Sequence, residues 1–168
     1  MNAEALGKQL RQGTGPFLKE RRTIAGLSLA SIGSLALISL YQVGIIPHLP
    51  EPPLPYFDAD KVNGSAQAYA KLHTPDAILG IGSYAATMTL AMMGAQERFR
   101  ERPWLPLALA GKVALDTVLT AQLLINELTK QKALCFWCLL VSAATLGTVP
   151  MVIPEAKAAV AQLCGHSK

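Results

Sequence analysis

Cys135 and Cys138 form a Cys-x-x-Cys motif. On a helix this spacing puts both sulfurs on one face, the second about 4.5 Å further along at a rise of about 1.5 Å per residue. Two sulfurs so placed are close enough to form and break a disulfide. Unpaired N–H groups at a helix start stabilise a thiolate, which suits such a pair to thiol–disulfide exchange. The competing role is that of two buried cysteines acting as small hydrophobes. Phe136 and Trp137 lie between them. Aromatics there could cover a flat ring ligand, although a Trp at the membrane surface more commonly belongs to an interfacial belt. The third cysteine, Cys164, falls in the C-terminal tail and reads as a spectator thiol. His48, His73 and His166 are too scattered to join the cysteines in a zinc site.

The elements that must position this pair are apolar and long. Of the 168 residues, 51% are hydrophobic and 15% charged, against about 25% charged in a soluble domain. Charge is nearly absent from four stretches and concentrated between them, which is the pattern of an integral membrane protein. Residues 23–46 carry no charge, and about twenty apolar residues cross a bilayer core of about 30 Å. The run is too long for the apolar core of a cleavable signal, and Pro-rich sequence follows it. Further spans are expected at 77–94, 104–125 and 133–153, the last with Cys135 in its first turn. Residues 1–22 form a basic N-terminal segment, expected to end in a short interfacial helix, and 154–168 a short tail. In the first span Gly26, Ala30 and Gly33 share a face that would let another helix approach closely.

The loop 47–76 connects the first two spans. Pro47, Pro50, Pro52, Pro53 and Pro55 exclude regular helix from its first half. A short helix is expected from Ser65 to Leu72, capped by Ser65, and Thr74, Pro75 and Asp76 open the second span.

Orientation follows from the flanks. The net charge of +4 comes from Lys8, Arg11, Lys19, Arg21 and Arg22, and from Arg98, Arg100 and Arg102, all beside apolar runs. This is a topology signal rather than a nucleic-acid patch. Two spans separate the two basic segments, so they share a side, and the positive-inside rule makes that side cytoplasmic. The expected fold is therefore an all-α four-helix membrane bundle with both ends inside and the cysteine pair at the outer face. Inside the third span, Lys112 and Asp116 stand four residues apart. An intrahelical ion pair with Lys112 reaching toward the cytoplasm accounts for them; the alternative for Asp116 is a proton carrier or a contact to a partner helix.

Four spans, a long first loop ending in a short helix, and LCFWCLLVSAATL at the start of the last span together resemble the vitamin K epoxide reductase family. VNGSAQAYAKLHTPDAILGIGSY resembles that family's approach to its second span, with Ser65, Pro75 and Gly80 at the matching positions. The likeness runs over roughly residues 23–153. It implies a quinone of the ubiquinone or menaquinone type, bound inside the bundle beside Cys138, with Ser65 and the aromatics Phe136 and Trp137 as candidate contacts. It also implies that Cys135 exchanges with thiols. Most members relay electrons to that first cysteine through two loop cysteines, fed by a thioredoxin-like partner or domain. Here residues 1–134 hold no cysteine: Ala59 or Asp60 falls where the second would stand, and no thioredoxin-like domain follows.

The expected function is a membrane thiol–disulfide oxidoreductase that couples Cys135 and Cys138 to quinone reduction, supplied by an external thiol or a thioredoxin-like protein. The alternative is a non-catalytic accessory subunit of a larger membrane complex, which the lost relay and the small-residue faces would suit. A small transporter or channel finds little support without an internal repeat. Membrane lipid is an expected partner and nucleic acid is not. Short loops favour a bacterial inner membrane, with the cysteine pair toward the periplasm.

Overall fold

The structure, a computed structural model, describes residues 2–165; His166 lies outside the described residues. Four long helices pack side by side: α2 (Leu18–Gln42), α4 (Asp76–Met92), α6 (Trp104–Asn126) and α7 (Phe136–Gly165). Shorter ones flank them: α1 (Ala3–Gln12), α3 (Ala59–Asn63) and α5 (Arg98–Glu101), with a 3-10 turn at Ala66–Tyr69 and a π turn at Glu127–Gln131. The described residues form no strand, only an isolated bridge between Phe57 and Leu134. Three helical stretches, Leu18–Gln42, Trp104–Gln131 and Phe136–Gly165, are long and apolar enough to cross a bilayer. The chain is thus an all-helical integral membrane protein.

Each long helix buries a stripe with helical spacing. On α2 the stripe is Ile24, Ser28, Ser31, Ser34, Ile38 and Gln42. Gly26 stands two residues from Ile24, about 200° around a helix of 3.6 residues per turn, so the stripe Gly26, Ala30 and Gly33 faces outward. No atom of this chain lies near where a Cβ would stand on Gly26 or Gly33. The close approach occurs elsewhere: a Cβ on Gly80 of α4 would meet Leu35 of α2 at 2.9 Å.

Packing differs between the two halves of the bundle. At one end Ile24, Ala91, Leu109, Val113 and Val152 make a closed core. That end also holds two buried arginines. Arg21 donates to the carbonyls of Ala91 (2.7 Å), Met93 (3.1 Å), Gly94 (3.1 Å) and Ala95 (3.0 Å). Arg98 donates to Leu90, Ala91 and Met93, and forms a two-pronged pair with Glu155, both bonds at 2.7 Å. The last carbonyls of a helix have no partner within it, and α4 satisfies its own with guanidinium groups. Gly94 makes the turn with φ of 84°, a conformation that favours glycine. The N-terminal segment and the 95–103 turn thus meet at one end, the arginine end.

At the opposite, thiol end, α6 buries no residue between Asp116 and its end at Asn126, because its wall there faces a cavity. The loop closes over this end through side-chain bonds. Gln42 donates to Asp76 (2.8 Å) and accepts from the Ala77 N–H (3.3 Å), which joins α2 to the start of α4. Asp60 accepts from the Leu49 N–H and from His48, and Glu51 accepts from the Ala59 N–H.

Several local expectations change. The first long helix runs Leu18–Gln42 rather than 23–46, and the short helix of the N-terminal segment lies at Ala3–Gln12 rather than at that segment's end. The loop folds as α3 and a separate 3-10 turn rather than one helix over 65–72, and the Ser65 side chain makes no cap bond. The second long helix is shorter than 77–94, ending at Met92. The last helix starts at Phe136 and runs to Gly165, through Pro150 and Pro154, absorbing most of the expected tail. Those prolines are compatible with a helix packed among others, where neighbours compensate for the lost bond, and Glu155 just beyond them is anchored by Arg98.

Candidate active site

Cys135 sits immediately before α7 rather than in its first turn. Its sulfur accepts the N–H of Cys138 at 3.2 Å, and its carbonyl accepts the N–H of Leu139 at 3.0 Å. This is the geometry of an N-cap, with sulfur in place of the usual side-chain oxygen. Two backbone bonds hold the approach to the helix: Leu134 N–H to Tyr56 O at 2.8 Å, and Asp58 N–H to Leu134 O at 3.0 Å. The loop is therefore pinned beside the cysteine pair.

Asn63, the last residue of α3, joins the two thiols. Its Nδ2 donates to Cys135 Sγ at 3.2 Å, and its Oδ1 lies 3.8 Å from Cys138 Sγ. Nδ2 also donates to the Ala59 carbonyl at 2.9 Å, which fixes the amide's orientation. Glu127, in the π turn, is 6% exposed and directs Oε2 at the Cys135 N–H, 3.3 Å away. The Cys135 thiol is held below its ordinary range. The Cys138 side chain contributes most to this, burial opposes it, and the Cys138 N–H and Asn63 amide add to the lowering.

Beside the pair opens a cavity of about 270 Å³ between α2, α4, α6 and α7. Much of its wall is apolar, including Leu35, Ile38, Leu79, Leu119, Leu123 and Val141. Polar groups stand at two levels. Near the thiol end are Asn63, Ser65, Asp76, Glu127 and Cys138. Deeper are Ser83, Tyr84, Asp116 and Thr120. Cys138 faces this cavity, while Cys135 is fully buried behind it among Ile38, Leu49, Ala59, Val62 and Ala133. The cavity lies just below the roughly 300–1,000 Å³ usual for small-ligand pockets, and its mostly apolar wall with a few convergent polar groups is the usual make-up of one.

The expected ring contacts divide. Ser65 lines the cavity. Phe136 and Trp137 stand outside its lining: Phe136 packs against Phe57, and Trp137 donates to the Pro50 carbonyl at 2.7 Å. Lys112 and Asp116 form the expected i, i+4 pair at 2.5 Å. Asp116 also accepts from Ser83 (2.9 Å) and Thr87 (2.8 Å) of α4, so the pair ties α6 to α4 at the cavity's deep end. Cys164 is exposed near the other end of α7, about 43 Å from Cys135 at about 1.5 Å per residue. Asn63 and Glu127 did not stand out in the sequence. The available signals were an Asn two residues before Ser65, and an acid in a connection too short to carry it away from the cysteines.

The chain is thus a helical membrane bundle with a cysteine pair at a helix start, one of the two in the wall of a largely apolar cavity. The chain belongs to the vitamin K epoxide reductase family, whose family model matches residues 22–153. It is accordingly a membrane thiol–disulfide oxidoreductase in kind. No curated protein and no solved structure matches the chain.

Proposed function

We propose that the chain passes two electrons from a thiol, through Cys135 and Cys138, to a quinone held in the cavity. The observation that carries this reading is the position of Cys138 in the cavity wall with Cys135 bonded directly behind it. The apolar wall suits a quinone ring, and Ser65 and Asn63 stand near the thiols as hydrogen-bonding groups. The dithiol gives up two electrons and two protons to become a disulfide, and the quinone takes both to become a quinol. Asn63 and the Cys138 N–H hold Cys135 as a thiolate during exchange, and the Glu127 carboxyl is placed to accept and return a proton.

The same reading makes α4 a fourth span. Its 17 residues cover only about 25 Å at about 1.5 Å per residue, but its ends bond to the two ends of α2. Gln42 meets Asp76 and Ala77 at one end, and Arg21 meets Ala91 to Ala95 at the other. With the arginine end cytoplasmic, both termini are inside and the thiols face outward, toward the periplasm in a bacterial inner membrane.

The test is a single turnover. The protein is reduced and desalted, a soluble short-chain quinone is added, and quinol and free thiols are counted. One quinol per disulfide formed is expected, and none from Cys138→Ser. The outward stripe of Gly26, Ala30 and Gly33 favours the accessory-subunit reading. No quinol, together with stoichiometric co-purifying subunits, would put that reading in its place.

A further inference from the structure

The two sulfurs differ in access. Cys135 is 0% exposed, and Ala59, also 0% exposed, packs in the same cluster. The backbone bonds of Leu134 to Tyr56 and Asp58, and the bond from Trp137 to Pro50, hold the loop beside it. With no cysteine in residues 1–134, the covering loop offers no sulfur to relay electrons inward. A protein dithiol would have to pull several hydrogen bonds apart to touch Cys135. Cys138, by contrast, opens on the cavity, near whose thiol end stand Gln67, Lys71 and Gln131.

We infer that electrons enter this chain through Cys138, from a low-molecular-weight thiol that occupies the same cavity as the quinone. The inference rests on the oxidoreductase reading above. The small thiolate attacks Cys138 Sγ of the oxidised pair. The Cys135–Cys138 bond breaks, a mixed disulfide forms on Cys138, and Cys135 leaves as a thiolate facing two donors, Asn63 Nδ2–H and the Cys138 N–H. A second small thiol attacks the small-molecule sulfur of the mixed disulfide. It departs as the symmetrical small disulfide and leaves Cys138 reduced. Two small thiols have then lost two electrons, and their two protons reside on the pair. Attack at the accessible sulfur, with the better-stabilised sulfur leaving, is the favoured direction of exchange. Lys71 and the two glutamines match the carboxylate and amine groups that small biological thiols carry.

Because both substrates use one cavity, they exclude each other. Steady-state rates with 2-mercaptoethanol and a short-chain quinone should follow a ping-pong pattern, with each substrate inhibiting competitively against the other at high concentration. Absence of mutual inhibition would overturn the shared cavity. The entry point is read from Cys135→Ser and Cys138→Ser, each in a Cys164→Ser background, treated with 2-hydroxyethyl disulfide and timed by intact mass. The remaining Cys138 should form its mixed disulfide at least about tenfold faster than the remaining Cys135. Equal or faster reaction at Cys135 sinks the inference. Reduced wild-type protein, alkylated with iodoacetamide and mapped by peptide mass, serves as the control for altered packing: Cys138 should react first, and Cys135 reacting first again overturns it. Quinol formation by the pre-reduced wild type is measured in the same preparation. Its failure removes the oxidoreductase reading; its success with labelling preferentially at Cys135 removes only the entry point.

Discussion

The Asn63 side-chain amide donates to the Cys135 sulfur at 3.2 Å and thereby ties the loop helix α3 to the start of α7. In Asn63→Ala that sulfur keeps the Cys138 N–H and side chain and loses the amide donor. A hydrogen bond to a charged group contributes roughly 1.5–3 kcal/mol, so exchange should slow about 10- to 100-fold. The Cys135 thiol lies below its ordinary range in the native protein, in part through this bond. Its thiolate therefore persists to lower pH than that of a free cysteine. Thiolate absorbance followed against pH should shift upward in Asn63→Ala, and an unchanged profile would show that the amide does not stabilise the anion.

Glu127 occupies a different role, at the Cys135 N–H and in the wall beside Cys138. Glu127→Gln keeps the shape and one acceptor but cannot exchange a proton in the same way. General acid–base groups commonly contribute about 10²–10⁴-fold. Quinol formation should fall by about 10²-fold with the apparent KM for quinone little changed. A rise in KM alone would assign Glu127 to binding instead.

Arg98 and Glu155 are an ion pair almost wholly removed from solvent. Removing one partner of such a pair typically costs about 3–5 kcal/mol, whereas an apolar replacement of both is far milder. Thermal unfolding in detergent should show Arg98→Ala as severely destabilised. Arg98→Met/Glu155→Leu should recover only part of the loss, because the Leu90 carbonyl still lacks its guanidinium donor and those of Ala91 and Met93 keep Arg21 alone.

Cys164 reports orientation, since it is exposed at the far end of α7 from Cys135. A membrane-impermeant maleimide should label it in inside-out vesicles and leave it untouched in right-side-out ones. Labelling in right-side-out vesicles would reverse the proposed topology.

The long elements were readable because spans are encoded by runs of residues. The i, i+4 pairing of Lys112 with Asp116 leads directly to what is observed, and the absence of charge in 23–46 leads to a long apolar helix, although that helix begins at Leu18 and ends at Gln42. The inward face of α2 was not readable from its glycines, because a small-residue stripe states that close packing is possible without stating with what. Ile24 and Ile38 with the intervening serines decided that face. The extension of α7 past Pro150 and Pro154 was hidden for a similar reason. A proline looks like a stop in isolation, and only the Arg98–Glu155 pair shows what the continuation gains. Of the candidate site, the thiol pair stood out by type and spacing, and Ser65 only through the family resemblance. Asn63 and Glu127 became visible only when the folded loop carried them to the sulfurs.

Arg21 and Arg98 have two successive employments. In the proposed topology, with the arginine end cytoplasmic, they count among the cationic residues that hold a segment on that side during insertion. After insertion the folded protein encloses them against the terminal carbonyls of α4. On that topology, direction in the membrane and completion of the shortest long helix are written in the same side chains. An engineered inversion that moved those charges would leave α4 with an open end, so the chain's orientation cannot be re-drawn without also rewriting its fold.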